Sequence, residues 1–87
     1  MSIIKYTYPA IFEPDGERGI AIWFPDLPRG ASAGKDFEHA IFMAQDALTT
    51  ILDSYDEDKL PYPEPGSVKE PLEPGQSIVN ITVERAR

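Results

Sequence analysis

The sequence predicts an α+β fold of order β-β-β-α-β, in which one helix packs on one face of a mostly antiparallel sheet. Alternating apolar residues mark strands near both ends of the chain, and a nearly continuous apolar run at 20–24 marks another. An apolar stripe at helical spacing runs from 37 to 55. In a chain of 87 residues these elements form one small domain, which we place at residues 1–87.

The first strand is predicted at Ile3 to Phe12, because alternate apolar side chains fall on one face there. Pro9 lies within this strand and lacks a backbone N–H, which favours an edge position or a bulge at that point. The segment 13–19 supplies Pro, Asp and Gly for a turn. It should join the first strand to the run 20–24 as an antiparallel hairpin. The all-apolar character of that run is typical of a strand covered on both faces.

A short third strand is predicted at Gly30 to Gly34, and the helix follows with Asp36 as its N-cap. Pro61 bounds the helix at its other end. The apolar side of the helix is formed by residues at i, i+3 and i+4 spacing: Phe37, Ala40, Ile41, Ala44, Leu48, Ile51, Leu52 and Tyr55.

Residues 61–75 contain five prolines and two glycines, which predicts a stiff loop that is too polar to pack as a unit. The last strand is predicted at Ser77 to Glu84, which is rich in β-branched residues. Its alternation directs Val79, Ile81 and Val83 towards the helix, and leaves Ile78 as an apolar residue on the other face.

Charge and composition narrow the possible functions. The net charge of −7 repels phosphate backbones, so we expect no direct nucleic-acid binding through this chain, whereas a basic protein partner would be attracted. There is no cysteine, and no apolar run is long enough for a membrane span or a signal peptide, so a cytoplasmic location is expected. A core this small also predicts a homo-oligomer, a dimer or a tetramer.

Two prolines bracket an Asp-Leu pair in the run Phe24-Pro25-Asp26-Leu27-Pro28, which predicts a rigid exit from the second strand. Together with Tyr6-Thr7-Tyr8-Pro9-Ala10, the acidic turn, Gly34 and the Ala-rich helix, this run resembles the N-terminal domain of HicB-type antitoxins. The usual family run is FPDLPGC, followed by T-x-G-x-T-x-x-E-A. Here Arg29-Gly30-Ala31 stands where Gly-Cys is common, and Asp36 stands where a Thr often precedes the helix. The likeness covers most of residues 3–85.

The resemblance implies a partial RNase H-like fold and the function of an antitoxin in a type II toxin-antitoxin pair. It implies a partner as well: a HicA-like toxin, a small basic mRNA interferase whose catalytic histidine is masked when the antitoxin docks. Many such antitoxins carry a further C-terminal DNA-binding domain. This chain ends soon after Glu84, so we expect no such domain here. An alternative from another class is an orphan oligomeric scaffold or small-ligand-binding domain with the same fold.

No residue pattern indicates catalysis, a metal or a cofactor. The lone His39 is expected on the solvent side of the first helical turn, far from any nucleophile. RNase H-like enzymes anchor their metal-binding carboxylates in strands, whereas the acids here fall in turns and at the helix end. We therefore expect that the chain is not an enzyme.

The candidate binding residues lie on the predicted solvent face of the helix. Phe42 points about 160° from the centre of the apolar stripe and shares its face with Glu38, Asp46 and Asp53. An apolar residue ringed by acids is typical of an interface anchor with a polar rim, although partial burial under the Pro-rich loop is the alternative. The bracketed pair Asp26 and Leu27 is a second candidate contact with a partner. For the oligomer interface the candidates are Trp23 and Met43, with a core position as the alternative for Trp23.

Overall fold

The computed structural model describes residues 2–16, 19–66 and 72–86. The element order confirms the predicted β-β-β-α-β fold: β1 (Ile3–Pro14), β2 (Ile20–Trp23), β3 (Ala31–Gly34), α1 (Phe37–Glu57) and β4 (Ser77–Ala86). The strands form one antiparallel sheet in the order β3-β2-β1-β4. The predicted hairpin is β1–β2, in which Ile11 lies opposite Trp23 and Pro14 opposite Ile20.

The core lies between α1 and one face of the sheet, as the alternation of apolar residues predicts. The sheet contributes every second residue of β1, together with Ile22 and Ile81, while α1 contributes its apolar stripe. Fully buried residues of the two layers are Ala10, Leu27, Ala40, Ala44, Leu48 and Leu52. The small Ala40 and Ala44 let the helix backbone come close to the sheet.

Pro9 takes the position that its missing N–H requires. β1 pairs with β2 only from Ile11 onwards, so at Pro9 β4 is the only neighbouring strand among the described residues, and Pro9 lies opposite Asn80. At this level β1 is locally an edge, which agrees with the edge position expected from the sequence.

The expectation that β2 is covered on both faces is wrong. Ile22 is buried against α1, but Ala21 and Trp23 on the opposite face are only half-buried. Among the described residues a single helix supplies the second layer, so one face of the sheet has no layer over it. The apolar character of this strand therefore does not report two-sided burial.

The start of α1 differs from the prediction in two side chains. Asp36 is the N-cap as expected, and its carboxylate accepts a hydrogen bond from the His39 backbone at 2.9 Å. His39 is half-buried rather than solvent-exposed, because its Nδ1 accepts a hydrogen bond from the Lys35 amide at 2.9 Å. Phe37 belongs to the apolar stripe but is 52% exposed at the helix end, where its ring lies 5.7 Å from that of Phe12.

The Pro-rich loop packs more closely than its composition predicts, at least over 61–66. The ring of Tyr62 lies 5.0 Å from that of Tyr6 and 6.4 Å from that of Tyr55, and its hydroxyl donates to Asp56 at 2.9 Å. The hydroxyl of Tyr8 donates to the Pro63 carbonyl at 2.7 Å. Tyrosines have an apolar ring and a polar tip, so they attach this segment to the core despite its polar sequence. The remaining predicted loop residues 67–71 lie outside the described part of the chain.

The close approach of β3 to α1 generates a test of the packing. A Cβ added at Gly34 would lie 2.4 Å from the Ala40 Cα, whereas one at Gly30 would meet only the Ile51 side chain, at 3.3 Å. Backbone cannot give way as a side-chain tip can, so Gly34→Ala should lower the free energy of unfolding by about 1–3 kcal/mol or more. Gly30→Ala, the matched control, should change it by less than about 1 kcal/mol. Urea unfolding followed by circular dichroism measures both, and equal losses would contradict this account of the helix–sheet contact.

Candidate partner-binding surface

Phe42 is the most exposed large apolar side chain of α1. It is 64% exposed, which confirms its predicted position on the solvent side of the helix and does not agree with burial under the Pro-rich loop. The helical repeat explains this, since Ala40, Ala44 and Leu48 take the inward positions on either side of it. Met43 lies to one side, half-buried against the core.

Exposed acids lie one helical turn from Phe42 in each direction: Glu38 at i−4 and Asp46 at i+4. Neither forms an ion pair with any residue that the structure describes. The N-terminal half of α1 therefore presents an aromatic ring between two uncompensated negative charges. We call Glu38, Phe42 and Asp46 the anchor face.

Asp53 was predicted to belong to the same surface, but it takes part in an internal ion pair. Its carboxylate accepts a hydrogen bond from Arg85 of β4 at 2.5 Å, and Asp56 accepts from the same guanidinium nitrogen at 2.8 Å. The Arg85 side chain is only 14% exposed. The hydrogen bond to Asp53, more than that to Asp56, raises the pKa of Arg85 above its ordinary value against the opposing effect of burial. Asp53 thus serves to attach β4 to α1, and its charge is compensated.

A second arginine, Arg29, compensates the negative charge of Asp58 at the C-terminal end of α1. Arg29 donates to Asp58 at 2.7 Å and to Ser54 at 3.2 Å, and its guanidinium carbon lies 4.3 Å from the centre of the Tyr55 ring. Both arginines lie along the C-terminal half of α1. Of the acids of α1 that form no ion pair with a described residue, Glu38 and Asp46 flank Phe42, and Glu57 lies at the C-terminal end of the helix.

Asp26 and Leu27 do not form the exposed contact that the sequence suggested. Leu27 is fully buried in the core, and Asp26 is 8% exposed. The Asp26 carboxylate accepts a hydrogen bond from the Gly66 amide at 3.1 Å, which attaches the Pro-rich loop to the exit of β2. The amide of Leu27 donates to the Phe24 carbonyl at 3.0 Å, so the proline-bracketed run turns inwards. This burial does not agree with a surface presented to a partner.

Trp23 lies on the face of the sheet opposite to α1, where it is half-buried and directly opposite Ile11. It is therefore outside the main core cluster, while Met43 packs against that cluster. Of the two residues predicted for an oligomer interface, only Trp23 lies on the face of the sheet that no described element covers.

No arrangement for metal-dependent chemistry is found within residues 2–16, 19–66 and 72–86, because no three His, Cys, Asp or Glu side chains converge there. A groove of about 280 Å³ lies between β3 and α1, lined mainly by small residues and by Arg29 and Asp46. Over the same described residues, no helix is long and apolar enough to cross a membrane.

Comparison with known families agrees with this architecture. The model of the family described as "HicB_like antitoxin of bacterial toxin-antitoxin system" matches residues 7–86. The chain belongs to this HicB-like antitoxin family. The match confirms the resemblance seen in the proline-bracketed run and its surroundings.

Three curated relatives are named as HicB antitoxins. Antitoxin HicB 2 of Photorhabdus laumondii subsp. laumondii is 47% identical over 60 residues, which is 69% of this chain and 42% of the relative. Antitoxin HicB 1 of the same organism is 40% identical over 80 residues, 91% of this chain and 48% of the relative. Antitoxin HicB of Escherichia coli is 37% identical over 60 residues, 67% of this chain and 44% of the relative. This HicB-like chain thus spans less than half the length of the curated relatives it matches.

Sequence reasoning missed Arg85 and Tyr62 as organising residues. Arg85 continues the inward series Val79, Ile81 and Val83, so extending the strand alternation by one step would have placed it against the helix. For Tyr62 no such signal exists, because its segment has no periodicity and its contact with Tyr6 joins distant parts of the chain.

The contact between Tyr8 and the Pro-rich loop can be tested by pH. Burial, followed by the nearby Glu64 and Asp26, raises the pKa of the Tyr8 hydroxyl. A raised pKa in the folded state means that the contribution to stability is complete below the unfolded-state pKa of about 10 and is lost as pH rises above it. Tyr8→Phe should lower the free energy of unfolding by about 1 kcal/mol at pH 7 to 9, through loss of the bond to Pro63. The difference from wild type should shrink above about pH 10. Urea unfolding at several pH values measures this, and a difference that grew at high pH would contradict it.

Proposed function

We propose that this HicB-like chain acts as an antitoxin, which binds a HicA-like mRNA interferase and masks its active site. Membership of the family supports the antitoxin role. The observation that carries the choice of surface is the 64% exposure of Phe42 between two uncompensated acids. We place the toxin contact on the anchor face of α1.

The charges and the aromatic ring would have different effects in this contact. The net charge of −7 and the local acids Glu38 and Asp46 would accelerate encounter with a basic toxin. Phe42 would enter an apolar pocket of the toxin and slow dissociation, since buried aromatic anchors surrounded by a polar rim account for most binding energy at such interfaces. Inhibition in this scheme requires only occlusion of the toxin's RNA-binding face.

The chain itself would contribute no catalysis and no direct contact with nucleic acid. Three of the described carboxylates are used in other ways: Asp26 holds a loop amide, and Asp53 and Asp56 hold Arg85. Because its target would act on mRNA, we propose that the protein works in the cytoplasm. No observation favours small-ligand binding over this function.

Replacing Phe42 by Asp should abolish inhibition and leave the fold intact. Phe42 fills no core position, so its loss opens no cavity, whereas Leu48→Asp buries a charge at a fully buried site and should unfold the domain. The added charge repels Glu38 and Asp46 by only a few tenths of a kcal/mol each, at about one helical turn. Loss of a docked anchor costs about 2 kcal/mol or more.

The assay for this variant is RNA cleavage by a purified HicA-like toxin, titrated with each variant. Co-expression and pull-down with a small basic protein encoded next to this gene would be the way to identify that toxin. Thermal unfolding is measured on the same samples. A wild-type chain that does not inhibit would refute the proposed function. A Phe42→Asp variant that inhibits as well as wild type would refute the surface alone.

Reversing the charge at Asp46 should slow association with the toxin by a larger factor than the same reversal elsewhere. Asp46→Lys and Asp15→Lys change the net charge by the same amount, but only Asp46 adjoins Phe42. Charge at an interface rim acts mainly on the association rate, so the difference between the two variants should disappear at high salt. Stopped-flow or surface plasmon resonance at two salt concentrations measures these rates, and equal effects of both reversals would assign steering to net charge only.

A further inference from the structure

An apolar row crosses the whole sheet on the face opposite to α1, which we call the outer face. Its members are direct partners on adjacent strands: Ile78 lies opposite Ile11, Ile11 opposite Trp23, and Trp23 opposite Ala31. One residue from each of the four strands therefore stands at the same level. Ala21 and Ala33, which lie opposite each other, extend this apolar row along the outer face.

The apolar row is buried from solvent at Ile11 and more accessible at its other members. Ile11 is only 4% exposed, although it lies outside the helix-side core cluster and no described element covers the outer face. Trp23 is half-buried, Ile78 is 38% exposed, and Ala31 is exposed. A desolvated centre within partly exposed apolar neighbours is the arrangement found at the centre of protein interfaces.

Beyond the apolar row, the outer face carries mostly polar side chains together with Ile3 and Pro9, and it has little net charge. Lys5 lies opposite Glu84, and the hydroxyls of Thr7 and Thr82 are 2.7 Å apart and hydrogen-bonded. Glu13 accepts a hydrogen bond from the Gln76 side chain at 3.1 Å. The charges of the outer-face strand positions thus consist of one Lys and two Glu, in contrast to the uncompensated acids of the anchor face.

We propose that a second copy of this chain covers the outer face, so that two sheets pack face to face about a two-fold axis. A chain with a net charge of −7 can meet its own copy only where like charges do not confront each other, and the outer face is the nearly neutral one. The two-fold axis would place the apolar row of one copy against that of the other.

The dimensions of the face suit this partner. β1 and β4 pair over ten residues, which corresponds to roughly 33 Å of strand, and β2 and β3 widen the sheet over four residues at the end that carries the apolar row. A stable interface needs about 800 Å² from each partner, so it would use the apolar row together with the two-stranded part of the face. A small core also gains the most from such additional burial.

Two other surfaces suit a second copy less well. On the anchor face, dimerisation would bring Glu38 and Asp46 towards the same acids of the partner. The free edge of β3 offers only four residues, so pairing there would bury little area. Contact through the outer face leaves α1 of both copies on the outside, which on the proposed function keeps both anchor faces available to toxin.

The single tryptophan makes this proposal directly measurable, because Trp23 lies in the apolar row. Light scattering at micromolar concentration should give a mass of about twice 9.7 kDa for wild type. On dilution, Trp23 emission should move to longer wavelength as the mass falls. Ile78→Glu and Ala31→Glu, at opposite ends of the row, should each raise the dimer dissociation constant at least about 30-fold, which equals about 2 kcal/mol.

Control variants distinguish the loss of contact through the outer face from the effects of a changed net charge and of unfolding. Phe42→Glu adds the same charge at another exposed apolar residue and should remain dimeric. Ile78→Lys makes the net charge less negative, so it should also dissociate the dimer if apolar contact is what holds it. Circular dichroism establishes folding, and the two ends of the row provide a second variant if one fails to fold.

A wild-type mass near 9.7 kDa, or a dimer that persists in both folded row variants, would overturn the proposal. Dissociation by Phe42→Glu with an intact Ile78→Glu dimer would assign self-association to the anchor face instead. None of these measurements uses a toxin, so their outcome is independent of the proposed function.

Discussion

One helix covers one face of a four-stranded sheet, and most other features of this protein follow from that contact. It depends on small residues at the closest approach, where Gly34 of β3 meets Ala40 of α1 with no space for a Cβ. Because β-sheets twist, a helix can approach a sheet so closely only along part of its length. The larger Leu48, Leu52 and Tyr55 fill the space further along α1.

At the C-terminal half of α1, side chains from other parts of the chain connect the helix to the sheet. Tyr62 enters between Tyr6 and Tyr55, and Arg85 attaches β4 to the helix through Asp53 and Asp56. Surface ion pairs contribute little individually, but a mostly buried guanidinium that holds two carboxylates restrains both elements. This use of acids and arginines leaves the opposite half of α1 with uncompensated negative charge.

Within the described residues, one helix on one face of the sheet leaves two surfaces without a further layer: the solvent side of the helix and the outer face of the sheet. They differ in charge: the anchor face is acidic around an exposed aromatic ring, and the outer face is apolar and nearly neutral. An acidic surface suits a basic partner and a neutral one suits a copy of the same acidic chain. The two proposed contacts lie on opposite sides of the molecule and can therefore form at the same time.

Local patterns in the sequence determined the element order, the N-cap Asp36, the inward faces of β1 and β4 and the exposure of Phe42. Each depends on strand or helix periodicity, which a short segment carries by itself. The proline-bracketed run was sufficient for the family only together with Tyr6-Thr7-Tyr8-Pro9-Ala10, the acidic turn, Gly34 and the Ala-rich helix, and it did not indicate the inward direction of Leu27. Only the tertiary structure decided that Asp26 binds a loop amide, that Asp53 pairs with Arg85 and that β2 is covered on one side. These features join residues tens of positions apart, and their formation depends on how strands and loops meet in space, which no local spacing encodes.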